Sequence, residues 1–133
     1  MKIRNLFLLI TLFGCESWIY YEHTIINESD YDLPIMFKPS TYSFGDSTLI
    51  KSKNNKKYYT FDSMGKPSKQ YFNEYKWHFT NGAKEVDTLY IIDTTLTLTK
   101  DYRDSTNWIP DVSETLFTMT INNKFFITNS DIN

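Results

Sequence analysis

Apolar and polar residues alternate along short stretches of this chain. In residues 31–37 every second position is large and apolar, including Leu33, Ile35 and Phe37, as in a strand with one buried face. The amino-acid composition also favours strands, because the chain has 13 Ile and 16 Thr but only one Ala, Ala83. β-Branched residues favour strands, and Ala favours helices. We therefore expect an all-β fold and exclude a helical bundle or a coiled coil.

Turn residues separate these stretches at short intervals, which is typical of an antiparallel β-sandwich or small barrel of about seven to nine short strands. The predicted strands cover residues 22–27, 31–37, 46–52, 57–61, 85–93, 95–99, 115–121 and 124–128. We expect the first and second, the third and fourth, and the last two to form hairpins, because Asn-rich turns separate each pair.

Three further features bear on the local structure. Pro34 cannot donate to a strand ladder, so its strand should be an edge strand or carry a bulge there. Residues 71–80 fit a helical face or a strand face, and we favour strand or irregular structure. Residues 63–69 and 101–111 are predicted loops, because polar and turn-forming residues dominate them.

The first 15 residues have the pattern of a signal peptide. Lys2 and Arg4 precede an apolar run over residues 6–13, which ends at Gly14 and Cys15. That run is far shorter than the roughly 20 residues that cross a bilayer as a helix. It is therefore predicted to be a cleaved signal peptide.

The end of this segment, Leu12-Phe13-Gly14-Cys15, resembles the lipobox of bacterial lipoproteins. The resemblance implies cleavage between Gly14 and Cys15 and attachment of a diacylglyceryl group to the Cys15 thiol. A small Gly next to the cysteine suits access to the peptide bond. The predicted organisation is a signal peptide over residues 1–14, a short tether over 15–21 and one β domain over 22–133.

The wider layout resembles small Bacteroidetes-type cell-envelope lipoproteins of unassigned function. The matching pieces are the lipobox and residues 23–29, 86–93 and 116–121. The resemblance implies a β domain in the bacterial cell envelope, anchored by lipid to the outer membrane and facing the periplasm or the medium. None of the matching pieces is a catalytic motif.

The sequence lacks the residues that several classes of functional site require. Cys15 is the single cysteine, so it can form neither an internal disulfide nor a multi-thiolate site. His23 and His78 lie far apart without metal-ligand spacing, and no nucleotide or serine-hydrolase motif occurs. We therefore expect no cofactor, no metal and no catalytic residue. A formal net charge of -2 argues against a nucleic-acid partner.

Charged residues cluster in two segments. Acidic residues gather at Asp93, Asp101, Asp104 and Asp111. They form either a solvated face or the carboxylates of a small glycan-directed hydrolase. Basic residues gather at Lys51, Lys53, Lys56 and Lys57. They either protect a hairpin against aggregation or contact an anionic lipid or polysaccharide.

Aromatic residues are numerous, with ten Tyr, ten Phe and three Trp, and a β-sandwich of this size can bury many of them in its core. Exposed rings would form a platform for a glycan or a protein partner, and Tyr75, Trp77 and Trp108 are the candidates. Trp108, in a polar segment before Pro110, is the one most expected to be exposed. The sequence thus favours a lipid-anchored binding or structural module that is not catalytic. Its expected partners are the membrane, through Cys15, and a glycan or a protein.

Overall fold

Two β-sheets face each other and enclose the main core. A computed structural model describes residues 17–133. Within that range the strands are β1 (Trp18–Asn27), β2 (Leu33–Pro39), β3 (Asp46–Ile50), β4 (Asn54–Met64), β5 (Val86–Ile91), β6 (Trp108–Glu114) and β7 (Thr118–Ile127). The sheets have the orders β4-β1-β7-β6 and β3-β2-β5. The predicted all-β sandwich is therefore confirmed, with seven strands in the described part of the chain.

Both sheets contribute to the main core. Buried apolar side chains from all seven strands meet between the sheets, among them Ile25, Phe37 and Phe125, which are fully buried. One pairing departs from the expected antiparallel pattern, because β1 and β7 run parallel at the centre of the larger sheet. Every other pair of neighbouring strands is antiparallel.

Two short helices follow β4, α1 (Lys69–Glu74) and α2 (Lys76–Thr80). The expectation of strand or irregular structure over residues 71–80 is therefore wrong. The Ser68 hydroxyl accepts a hydrogen bond from the Tyr71 amide (3.2 Å) and caps α1, as serine commonly does. Phe72 and Phe79 then pack on the larger sheet, so tertiary burial selects the helical spacing of the aromatic residues.

The first two predicted hairpins are also wrong. β1 and β2 belong to different sheets, and so do β3 and β4. The fully buried Asn27 explains the first corner, because its amide donates to the carbonyls of Tyr31 (2.7 Å) and Ile50 (2.9 Å). The side-chain oxygen of Asn27 accepts hydrogen bonds from the backbone amide and the hydroxyl of Ser29. Asn27 thereby joins both segments that pass between the sheets.

Pro34 lies in β2, the central strand of the smaller sheet, so the expectation of an edge strand is wrong. The bulge in its pairing with β5 falls at Lys38 and Pro39 instead. The Pro34 carbonyl accepts a hydrogen bond from Ile92 (2.7 Å), one residue beyond the end of β5. The N and C=O of one strand residue point to the same side, so the N–H that Pro34 lacks would also have faced β5. The missing donor therefore lies at the end of the β2–β5 pairing, where it interrupts no inner hydrogen bond.

Four boundaries also differ from the sequence expectations. β1 begins at Trp18, inside the predicted tether. β7 runs without a turn through residues 122–123, so the last predicted hairpin is one strand. Residues 95–99 form only an isolated bridge, between Leu98 and Ile132. β6 begins within the predicted loop 101–111 and lies at a sheet edge, where its Pro110 is tolerated.

Among residues 17–133, no helix has the length and apolar character needed to cross a membrane.

Candidate binding surfaces

An aromatic layer covers part of the larger sheet. Phe72 from α1 and Phe79 from α2 pack against Ile19 of β1 and against Met119 and Ile121 of β7. This second core lies beside the main one, where the smaller sheet contributes no buried residue. The helices therefore complete the sandwich over this part of the larger sheet.

The outward side of the same helices is exposed. Tyr71, Tyr75 and Trp77 are 52%, 39% and 63% exposed, and His78 lies between the rings of Tyr75 and Trp77. The ring centres of Tyr71 and Tyr75 are 4.6 Å apart, and those of Trp77 and His78 are 5.1 Å apart. We call these four side chains the aromatic patch. It brings together Tyr75 and Trp77, two of the three residues predicted for a platform.

The rings of the aromatic patch are not coplanar. The Tyr71 and Tyr75 planes are inclined by 38°, and Trp77 meets His78 nearly edge-on at 72°. A flat row of rings suits the face of a sugar, whereas tilted rings leave clefts between them that suit side chains of a protein. The four rings therefore do not form a single flat row.

Trp108 does not belong to this patch, and its predicted exposure is wrong. It is 3% exposed, because it is the first residue of β6 and its side chain lies in the main core. Its indole N–H donates to the Tyr102 carbonyl (2.7 Å), which satisfies the polar atom. The ring also contacts His23 edge-on, with centres 5.0 Å apart. The rings of His23 and Phe125, both distant in sequence, pack against the tryptophan, so a polar neighbourhood in sequence does not indicate exposure.

His23 is fully buried beside Trp108 in a small polar group within the core. Its Nε2 lies 2.9 Å from the Gly82 carbonyl, which can only accept, so Nε2 carries the proton. Asn123 is its neighbour on β7 and is also buried. Burial lowers the pKa of His23 to about 4, against the smaller opposing effect of the Gly82 carbonyl. His23 is thus a neutral core residue.

Gly82 makes this polar group possible. A Cβ at position 82 would lie 2.8 Å from the Asn123 Cβ and 2.9 Å from two carbon atoms of Trp108. Only glycine allows the backbone to approach closely enough for the hydrogen bond to His23. Because Gly82 is 59 residues from His23, this contact carries no local sequence signal.

The acidic residues of the loop region stabilise turns. Asp93 accepts hydrogen bonds from the amide and hydroxyl of Thr95, and Asp104 does the same with Thr106. These hydrogen bonds lower the pKa of both carboxyl groups. A general acid needs a raised pKa, so the shift runs opposite to what a glycosidase acid requires. Asp101 accepts from the Arg103 amide.

Asp111, the last acidic residue of that region, pairs with Lys124 at 2.7 Å. Residues 17–133 contain no group of three or more His, Cys, Asp or Glu side chains arranged to hold a metal ion.

Three of the four lysines of the predicted basic loop, Lys53, Lys56 and Lys57, have different surroundings. Lys53 turns the corner between β3 and β4 with φ of 59°, and its ammonium group pairs with Asp30 at 2.9 Å. Lys57 pairs with Glu22 at 3.0 Å. Lys56 and Lys57 also line a cleft of about 350 Å³ that includes the exposed rings of Tyr42, Phe44 and Tyr59. A second aromatic surface therefore lies between β4 and the segment before β3.

The amino-terminal end of the described chain is held in the larger sheet. The Ser17 carbonyl accepts a hydrogen bond from Gly65 (2.8 Å), and its hydroxyl accepts one from the Lys66 amide (2.9 Å). Trp18 then donates its amide to the Phe117 carbonyl (2.9 Å). The predicted lipidation residue Cys15 and cleavage residue Gly14 lie outside the described residues.

Comparisons with profiles of protein families, with curated proteins and with solved structures gave no match.

Proposed function

We propose that this chain is a lipid-anchored protein of the bacterial cell envelope. Cys15 holds it at the outer membrane, and the β-sandwich faces the periplasm or the medium as a binding or structural module. The observation that carries the proposal is the sequence Leu12-Phe13-Gly14-Cys15 at the end of a short apolar run. Ser17, two residues after Cys15, is hydrogen-bonded to Gly65 and Lys66 at the start of β1. A lipid on Cys15 therefore attaches to a folded domain through a very short link.

The binding part of the proposal rests on the aromatic patch. Tyr71, Tyr75 and Trp77 expose large rings, whereas Phe72 and Phe79 from the same helices already fill the core beneath. Exposed aromatic side chains of this density are enriched at protein interfaces. The tilt of the rings makes a protein of the envelope the favoured partner and a glycan the alternative.

Anchoring is tested by cell fractionation with Cys15→Ala. We expect the unaltered protein in the membrane fraction and the variant in the soluble fraction or retained as the uncleaved precursor. A Ser130→Ala variant, changed at an exposed residue far along the chain, serves as the control and should fractionate like the unaltered protein. Equal fractionation of Cys15→Ala and the unaltered protein would contradict the proposal.

The binding surface is tested by photo-cross-linking in intact cells. A photoreactive residue in place of Trp77 should give discrete protein adducts, and one in place of the similarly exposed Tyr90 on β5 should not. Affinity electrophoresis in envelope polysaccharide tests the glycan alternative. If the polysaccharide retards the protein, Trp77→Ala abolishes the retardation and position 77 gives no protein adducts, the partner is a glycan and not a protein.

A further inference from the structure

Three exposed apolar side chains surround the point where the described chain enters the larger sheet. Leu116 and Phe117, between β6 and β7, are 81% and 44% exposed, and Met64 at the end of β4 is 64% exposed. Trp18 pairs with Met64 on one side and with Thr118 on the other. We call Met64, Leu116 and Phe117 the tether rim.

Hydrogen bonds close the turn that carries two of these residues. The Thr115 amide donates to the Thr118 carbonyl (2.8 Å), and the Thr118 amide donates to the Thr115 hydroxyl (3.0 Å). Two bonds therefore close the turn around Leu116 and Phe117. Such positions usually hold Gly, Asn, Asp or Ser, which water solvates well. Here the closed turn presents two apolar side chains away from the core.

The charged group beside the tether rim, Lys66, is paired. The Lys66 ammonium group donates to the Thr115 carbonyl (2.8 Å) and pairs with Glu114. The Lys66 cation, two residues after Met64, is therefore already paired with groups at the end of β6. The tether rim suits an apolar environment and has little to offer an anionic surface.

The position of Cys15 identifies the apolar environment. Two residues of extended chain span at most about 7 Å, so the Cα of Ser17 lies within that distance of the Cα of Cys15, whose sulfur carries the lipid. Ser17 and Trp18 lie directly beside Gly65 and Phe117. We propose that the tether rim inserts into the interface of the anchoring membrane, so that the sandwich stands on the bilayer in one orientation. This proposal rests on the lipid anchor proposed above.

A weak apolar contact is sufficient for this purpose. A short link gives the tether rim a high effective concentration at the membrane, so the contact need not bind the protein by itself. The end of the sandwich with Asn27 and Asn55 then points away from the lipid, because β1 and β4 run along the larger sheet from one end to the other.

The test uses the single cysteine of the chain. When Cys15 is lipidated as a thioether, a cysteine introduced elsewhere becomes the one free thiol. The mature lipidated protein with Leu116→Cys is labelled with an environment-sensitive fluorophore and placed in phosphatidylcholine vesicles, with and without nitroxide-labelled lipid. Asn55→Cys, exposed at the opposite end of the sheet, is the matched control. Both positions are exposed, so neither substitution disturbs the core.

We expect lipid nitroxides to quench the label at position 116 several-fold more strongly than the label at position 55. Equal quenching at both positions would overturn the tether rim contact, while membrane fractionation and a blocked Cys15 would leave the anchor itself in place. Shielding at 116 without quenching by lipid would indicate a protein contact and also overturn it. A reactive Cys15 thiol together with a soluble protein would overturn the anchor and, with it, this inference.

Discussion

The buried His23 gives a prediction about the pH dependence of stability. In the folded protein its pKa is lowered to about 4 by burial, whereas the unfolded side chain titrates near its ordinary value of 6.5. Between these values the unfolded chain binds a proton that the folded chain does not. The contribution of His23 to stability is therefore complete above pH 6.5, decreases as the pH falls towards 4 and does not change further below that.

The size of the effect follows from the difference between the two pKa values. Each pKa unit corresponds to about 1.4 kcal/mol, so His23 should remove about 3 kcal/mol of unfolding free energy across this window. That is a large part of the roughly 5–15 kcal/mol that stabilises a typical domain. Asp30, Asp93 and Asp104 have lowered pKa values, so their contributions are lost at lower pH, below the ordinary carboxyl pKa of 3.8.

Urea unfolding at several pH values, followed by Trp fluorescence, measures this dependence. Trp108 lies against His23, so its emission should change on unfolding. In His23→Gln, whose amide can still donate to the Gly82 carbonyl, the decrease between pH 6.5 and 4 should disappear. His78→Gln, altered at the exposed histidine, should keep it. The same pH slope in His23→Gln and the unaltered protein would show that His23 does not cause the pH dependence.

Two substitutions test the contacts that join the sheets. Asn27→Ala removes the two hydrogen bonds that the buried side-chain amide donates and the oxygen that accepts from Ser29, so it should lower the unfolding free energy by at least about 2 kcal/mol. Gly82→Ala forces a Cβ against Asn123 and Trp108 and should cost about 1–3 kcal/mol. Asn55→Ala, on the exposed part of β4, should change it by less than about 0.5 kcal/mol. Urea unfolding measures all three, and equal values for Asn27→Ala and Asn55→Ala would contradict the described corner.

Period-two alternation and β-branched residues were enough to predict the fold class, because both report directly on a half-buried strand. Residues 31–37 and 85–93 form strands close to their expected positions, β2 and β5. Which strands pair could not be predicted. The Asn27 side chain bonds to segments 4 and 23 residues away, and it directs the chain to the other sheet instead of into a hairpin.

The candidate surface was only partly predictable for a similar reason. Tyr75 and Trp77 are exposed as a platform requires, whereas Trp108 is buried by contacts with residues distant in sequence. The aromatic segment fits two periodicities, and packing of Phe72 and Phe79 on the larger sheet selects the helical one. The local sequence pattern does not indicate which residues from distant parts of the chain cover a given side chain.

The mass of the amino-terminal peptide of the protein, isolated from cell membranes, is the most direct test of the lipid anchor. We predict a peptide that begins at Cys15 and carries a diacylglyceryl group on its sulfur, with no trace of residues 1–14. In Cys15→Ala this modified peptide should be absent. A membrane-derived peptide that begins elsewhere, or that carries an unmodified Cys15 thiol, would contradict the proposed lipid anchor.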